Sequence, residues 1–211
     1  QDGRLAAVAL DAGDRYCLDG QRLRVAAGTY GQPGSEYRTE VETFARVTAT
    51  GAAGAGPASF RVERRDGLIY EYGTTDDSRI ESFGSTTPRA WAVSRVLDRA
   101  GNFIEFRYTE DGAGGAYRPA RIDYSGNTRT GALPYYSVRF TYEARPADDQ
   151  PAGFVGGGAV RESQRLDRID VVHVATLTNV RAYDLGYDNV GATGRSRLVR
   201  LQECARSACL P

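Results

Sequence analysis

The side chains able to do chemistry are few and scattered. The single histidine, His173, alternates with valines in Val171-Val172-His173-Val174-Ala175. Nucleophilic catalysis needs a nucleophile, a base and a group that orients the base. No Ser or Cys lies in a recognisable nucleophile turn, and no Walker loop or Asp-x-Asp-x-Asp-Gly calcium loop is present. A surface or half-buried strand histidine is therefore the simpler reading. Asp76-Asp77 and Asp148-Asp149 are adjacent carboxylates whose side chains diverge on extended backbone, and they read as solvated turn residues. Glu40-Val41-Glu42 puts two carboxylates on one strand face, a pairing that arises on any wet strand. No catalytic, cofactor-binding or metal residue is assigned, and no cofactor is expected.

The three cysteines leave an odd one. Cys204 and Cys209 lie in Glu-Cys-Ala-Arg-Ser-Ala-Cys, close enough to clip a short loop in an oxidising compartment, so they form a candidate disulfide. Two reduced bystander thiols are the alternative, and Cys17 is free or paired elsewhere. Zinc would need further Cys or His ligands nearby, and His173 is distant in sequence.

These groups must be carried by strands, because hydrophobic alternation has period two where it is clearest. Ile104-Glu105-Phe106-Arg107-Tyr108 and Val138-Arg139-Phe140-Thr141-Tyr142-Glu143 each put apolar side chains on one face and polar ones on the other. One wet face is the mark of an antiparallel sheet. Further strands are expected at residues 22–26, 59–63, 168–175, 180–187 and 197–202. Residues 35–48 are ambiguous between helical spacing and a bulged strand, and their Thr and Val content favours the strand. Residues 51–57, 111–115 and 156–158 are turns rich in Gly or Pro. Residues 145–153, with two prolines and two aspartates, are expected to form a mobile loop.

An internal echo runs through this pattern. Tyr70 and Tyr72 are answered by Arg79-Ile80-Glu81, and Phe106 and Tyr108 by Arg121-Ile122-Asp123. Phe140 and Tyr142 are answered by Arg168-Ile169-Asp170, and Tyr183 and Tyr187 by Arg197-Leu198. The spacing varies too widely for a fixed-period solenoid, so a stack of unequal hairpins is expected. Tyr70, Tyr108, Tyr142 and Tyr187 should pack within the sheet, each cross-strand pair contributing about 0.2 to 1 kcal/mol. Arg79, Arg121, Arg168 and Arg197 should pair with carboxylates on adjacent strands and help set register. Trp91, after Pro88, reads as a core anchor near a strand start.

The 211 residues include 13 Tyr and 25 Gly, with 41% hydrophobic residues, and read as one globular β-rich domain spanning 1–211. Basic and acidic residues balance at 27 each, so the long-range attraction of a nucleic-acid binder is missing. No apolar run is long enough to cross a membrane, and no insertion by this segment is expected. The lack of any methionine is what a piece of a longer protein would show.

Several stretches together resemble the SpvB-type region near the start of bacterial toxin-complex B components and RHS-repeat (tyrosine-aspartate, YD-repeat) proteins. They are Arg15-Tyr16-Cys17-Leu18-Asp19-Gly20, Gly28-Thr29-Tyr30-Gly31 and Gly34-Ser35-Glu36-Tyr37-Arg38-Thr39-Glu40. Asp66-Gly67-Leu68-Ile69-Tyr70-Glu71-Tyr72-Gly73, Asp98-Arg99-Ala100-Gly101-Asn102, Thr193-Gly194-Arg195-Ser196-Arg197-Leu198 and Gln202-Glu203-Cys204 continue the likeness. The resemblance implies an all-β fold of antiparallel hairpins and meanders, forming a sandwich or a partial YD-repeat-like shell. Tyr183-Asp184 matches the repeat dipeptide, whereas Tyr72-Gly73 and Tyr108-Thr109 depart from it. It also implies secretion or a cell-surface location. The partners would be flanking propeller or cage domains of the same polypeptide and other toxin-complex subunits.

SpvB-type proteins can carry ADP-ribosyltransferase activity in a separate domain, and Glu40-Val41-Glu42 has the Glu-x-Glu spacing of such a site. The Ser-Thr-Ser strand that would help hold the dinucleotide is missing. The expected function is thus a non-catalytic structural scaffold segment of a large secreted toxin or RHS-family protein. The alternative is a carbohydrate-binding adhesin module that stacks sugars on exposed tyrosines.

Overall fold

The computed structural model describes residues 7–112, 114–191, 193–205 and 208–209. The expected turn at 111–115 and the Cys204–Cys209 loop each include residues outside that set, namely Ala113, Arg206 and Ser207. The chain is all-β. Its first strands are β1 (Cys17–Leu18), β2 (Gln21–Ala27), β3 (Glu36–Thr39), β4 (Arg46–Thr50), β5 (Ser59–Glu63) and β6 (Ile69–Tyr72). A hairpin of β7 (Arg79–Glu81) and β8 (Pro88–Trp91) follows, then β9 (Val93–Leu97), β10 (Asn102–Asp111), β11 (Ala116–Asn127) and β12 (Tyr136–Ala144). A second hairpin, β13 (Ala152–Val155) and β14 (Gly158–Arg161), precedes β15 (Gln164–His173), β16 (Thr178–Asp188), β17 (Arg197–Ala205) and β18 (Ala208–Cys209).

Fourteen of these strands form one antiparallel meander. Chain order is kept along it except where the hairpins β7–β8 and β13–β14 leave as separate two-stranded sheets. Such nearest-neighbour connectivity follows from short turns that take positive φ at little cost, as at Gly156-Gly157 (φ 58° and 78°), which closes β13 onto β14. The ambiguous stretch at 35–48 is two short strands, β3 and β4, separated by a loop.

The densest core lies in the first half of the meander. Leu23, Tyr37, Val47, Ala49, Phe60 and Val62 are buried, and Tyr16, Tyr30, Tyr72 and Trp91 pack against them. Tyr37 is fully buried, with its hydroxyl accepting from the Gly31 amide at 2.9 Å. Trp91 packs edge-on to Phe60 (4.9 Å) and donates its indole N–H to the Pro57 carbonyl, anchoring the end rather than the start of β8. The polar side chains of this half form a ladder. Arg46 bonds to Glu36 and lies 3.9 Å from Glu63, while Arg61 lies 3.3 Å from Glu63 and 3.2 Å from Glu71. Alternation of opposite charges across neighbouring strands favours this register over a shifted one.

Candidate interaction surface

The second half of the meander is built on a repeat that the register makes explicit. Each unit has a tyrosine strand followed by a strand that extrudes one residue opposite it. Tyr72 faces Val93 and Ser94 is extruded; Tyr108 faces Pro119 and Ala120 is extruded. Tyr142 faces Leu166 with Asp167 extruded, and Tyr187 faces Leu198 with Val199 extruded. Directly after each bulge comes an arginine, Arg95, Arg121, Arg168 or Arg200, then an aliphatic residue, Val96, Ile122, Ile169 or Leu201. A bulge bends the strand locally and re-aims the groups beside it.

Here the bend serves the next unit. The Tyr108 hydroxyl donates to the Val93 carbonyl at 2.8 Å, that of Tyr142 to Pro119 at 2.7 Å, and that of Tyr187 to Leu166 at 2.6 Å. Each acceptor is the residue just before a bulge, so Tyr108, Tyr142 and Tyr187 each clasp the preceding unit. In two of the three units the residue before the acceptor adds a second clasp. Arg118 lies over the Tyr142 ring at 5.5 Å and Arg165 over the Tyr187 ring at 4.5 Å.

This geometry revises the repeat inferred from sequence. Arg79-Ile80-Glu81 belongs to the excursion hairpin β7–β8, and the true partner of Tyr72 is the segment Val93-Ser94-Arg95-Val96. Arg197 occupies the position of Arg118 and Arg165, whereas Arg200 is the counterpart of Arg121 and Arg168. An arginine followed by an aliphatic residue is too short a signal to tell these positions apart. The expected cross-strand ion pairs form at Arg168 and Arg197 and not at Arg79 and Arg121. Arg168 bonds both to Asp170 on its own strand and to Asp184 on β16, and Arg197 reaches Asp188 on β16. Arg79 bonds to Asp76, three residues earlier, and Arg121 to Asp123 on its own strand.

Burial differs sharply along the repeat. Arg165 pairs with Glu143 at 2.6 Å and its side chain is 14% exposed; Arg197 pairs with Asp188 at 3.1 Å and is 61% exposed. Leu198, Val199 and Leu201 are exposed, whereas Val93, Leu166, Val96, Ile122 and Ile169 of earlier units are half-buried and Pro119 is exposed like Leu198. From Arg197 to Leu201, β17 pairs with β16 on one side only among the described strands. At its far end β18 pairs through Cys204 and Cys209, which are joined by a disulfide. Asp184 lies 3.5 Å from the Cys204 sulfur, but sulfurs bonded to each other offer no thiolate to a metal. Cys17 is free and exposed.

A second concave feature lies at the other end of the sheet. A cavity of about 490 Å³ is lined by Tyr16, Phe60, Tyr72 and Trp91 together with Asp14 and Arg89. Its rings contact one another: Tyr16 stacks on Tyr30 at 5.3 Å and meets Trp91 edge-on at 5.4 Å. Burial, with Tyr37 and Tyr30 nearby, pushes the Tyr16 hydroxyl up to about 12.

The isolated candidates from sequence are dispersed. His173 contacts the Thr176 hydroxyl at 2.8 Å and meets the Tyr136 ring edge-on. Glu40 lies near Arg24, and Glu42 accepts the Phe44 amide. Two aspartates read as solvated are instead structural. Asp77 accepts the Tyr108 amide at 2.8 Å, holding the turn before β7 against β10. Asp149 is buried and accepts from Arg145 at 3.0 Å and from the Ser196 hydroxyl, which also bonds to Arg165. The segment expected to be a mobile loop is thereby tied to the last repeat, and β13 begins within it.

No protein-family model and no curated protein matches the sequence. Solved structures do match. The N-terminal domain of the effector protein SpvB from Salmonella typhimurium strain LT2 superposes with a TM-score of 0.76 at 16% identity, over 94% of this chain and 83% of that one. The TcdB2-TccC3-Cdc42 crystal structure matches with a TM-score of 0.72 at 16% identity, over 93% of this chain. A Photorhabdus luminescens Tc holotoxin pore matches with a TM-score of 0.74, also at 16% identity and over 93% of this chain. The chain spans 12% of the length of each of those two toxin chains. At such identities the likeness is one of fold, and it agrees with the resemblance carried by the sequence.

Proposed function

We propose that this chain is a non-catalytic structural scaffold segment of a large secreted bacterial toxin or RHS-family protein. Its partners are flanking propeller or cage segments of the same polypeptide, with sister toxin-complex subunits beyond them. The observation that carries this reading is the tyrosine ladder: its rings and guanidinium groups clasp one unit to the next, and from Arg197 to Leu201 β17 presents an exposed apolar edge paired on one side among the described strands. The fold likeness to the SpvB N-terminal domain and to toxin-complex chains supports it. No described helix is long and apolar enough to cross a membrane, consistent with a segment that does not itself insert as a helix.

An exposed edge bearing Leu198, Val199 and Leu201 should make the isolated chain associate with increasing concentration. Sedimentation velocity across a hundredfold concentration range tests this, and Leu201→Lys should abolish the association. A strictly monomeric parent chain would count against the scaffold role. Transferase activity that disappears in Glu42→Gln would overturn its non-catalytic character.

The aromatic cavity supports the carbohydrate-binding alternative. A glycan array reads it directly: selective binding that is lost in Trp91→Ala, with the fold retained, favours that module over the scaffold.

A further inference from the structure

We infer that the cleft formed by the β1–β2, β3–β4 and β5–β6 turns is a binding site for a carboxylate-bearing sugar, with the Arg65 guanidinium taking the carboxylate. The site is remote in the strand order from β17, and the inference does not depend on the scaffold reading. Alternate turns of an antiparallel meander return to the same rim of the sheet, which is why these three meet. The cleft holds about 600 Å³ and adjoins the aromatic cavity, with which it shares Leu18 and Asp19.

Arg65 is the charge that this cleft leaves unmatched. Arg64 bonds to Asp19 at 2.7 Å and lies over the Tyr70 ring, and Asp66 accepts the Leu68 amide at 2.9 Å. Arg65 forms no ion pair or hydrogen bond among the described residues, and its guanidinium lies over the Phe44 ring at 5.4 Å. Stacking orders the guanidinium before a ligand arrives and leaves its N–H groups free to form a fork with a carboxylate.

Phe44 is displayed against its own backbone preference. Its φ of 58° lies in the left-handed region that bulky side chains avoid, and its amide donates to the Glu42 carboxylate, which holds the turn. The ring so presented is 67% exposed. Such strain persists where the surroundings impose it, and ligand clamps are among the places that keep it. An exposed ring beside an unpaired guanidinium suits a ligand with an apolar C–H face and one acidic group, which a sugar acid has.

Donors and acceptors for hydroxyl groups converge on the same cleft. Gln21 accepts the Val41 amide through its carboxamide oxygen, so its NH₂ group remains to donate. Thr39 and Thr43 share one hydrogen bond at 2.8 Å, which leaves one hydroxyl hydrogen between them. Asp19 and Asp66 keep acceptor capacity for sugar hydroxyls. The same two carboxylates repel a polyanion, so the ligand carries a single charge rather than the several of a nucleotide or a sulfated polymer.

The test uses the full chain with methyl glucuronide and methyl galacturonide, and with methyl glucoside, glucose 6-phosphate and inorganic phosphate as comparisons. At least one uronide should shift the amide resonances of residues 18–21, 39–45 and 64–66 saturably. The neutral glucoside should bind at least about tenfold more weakly, the factor expected for one charge-assisted hydrogen bond. Arg65→Ala, a change at an exposed side chain, should weaken the uronide by a similar factor, and Phe44→Gly, which relieves the backbone and removes the ring, should weaken it too. The inference is overturned by the absence of saturable shifts at these residues, by equal affinity for uronide and glucoside, by an Arg65→Ala chain that binds as the parent does, or by tighter binding of either phosphate. Loss of binding in Trp91→Ala but not in Arg65→Ala also overturns it, because the sugar then sits in the aromatic cavity. None of these results alters the association of the chain through β17, which Leu201→Lys reads separately.

Discussion

The Tyr142 hydroxyl donates to the Pro119 carbonyl at 2.7 Å, beside the residue that β11 extrudes. Proline has no amide hydrogen, so at an ordinary ladder position it would leave a neighbouring acceptor unmet. At the bulge that deficit is local, and the carbonyl turned outward by the bend is taken by a side chain from the next unit. The extruded residue and the tyrosine are thus one device. It lets strands of unequal hairpins keep register without a fixed loop length.

Removing the hydroxyl alone measures the device. Tyr108→Phe and Tyr142→Phe keep the ring and lose one hydrogen bond, a cost of about 0.5 to 1.5 kcal/mol each. Tyr108 is the more sheltered of the two, its hydroxyl pushed up to about 12 mainly by burial, so its substitution should fall at the upper end. Chemical denaturation with an unchanged m-value checks both.

The same tyrosines set the alkaline limit. Tyr16 and Tyr108 are pushed up to about 12, against about 10 in an unfolded chain. Above pH 10 the unfolded chain has released protons that the folded chain still holds, so stability falls as pH rises from about 10 to 12. The part of the tyrosinate absorbance that disappears in Tyr16→Phe and Tyr108→Phe should therefore develop together with loss of the β-sheet circular dichroism signal. Titration of these rings well below unfolding would contradict it.

Asp149 gives the opposite slope at acid pH. The Ser196 hydroxyl bond, with the Arg145 guanidinium beside it, lowers its pKa below the usual carboxylate range. Its contribution is present above about pH 4 and is lost as pH falls through the lowered value. Asp149→Asn should flatten that part of the acid unfolding curve. It should also speed amide exchange at 146–150 and near Ser196 while leaving the Tyr37 region unchanged.

Gly126 marks a close approach of a different kind. A Cβ there would run into the Phe103 ring, and that ring is itself covered by the Arg95 guanidinium at 4.4 Å. Gly126→Val should destabilise by about 1 to 3 kcal/mol through overpacking. Pairing it with Phe103→Leu should recover part of the loss.

Strand content was legible because Ile104 to Tyr108 and Val138 to Glu143 alternate strictly, and one wet face leaves that trace in any antiparallel sheet. The tyrosines that matter were legible for the same reason. Arg95 and Arg200 were not, since the bulge that defines their position is a property of two strands in register and leaves no mark in either one alone. Asp77 and Asp149 were misread because each acts on a partner 31 or 47 residues away, a distance at which a local pattern carries nothing.

The equivalence of Arg165 and Arg197 yields a last prediction. Both follow the same register rule and pair with the carboxylate after a tyrosine, but among the described residues Arg165 has a ring beneath it, at 4.5 Å, and Arg197 has none. In the isolated chain Arg165→Ala removes a half-covered ion pair, the Tyr187 contact and the bond to Ser196, and should cost about 1 to 3 kcal/mol. Arg197→Ala removes an exposed pair whose contribution is about 0 to 1 kcal/mol. Thermal unfolding of the two variants should therefore separate clearly, with Arg197→Ala close to the parent chain. Equal losses would mean that Arg197 already has a ring or a second partner in solution, and that the last unit is not open in the way its exposure indicates.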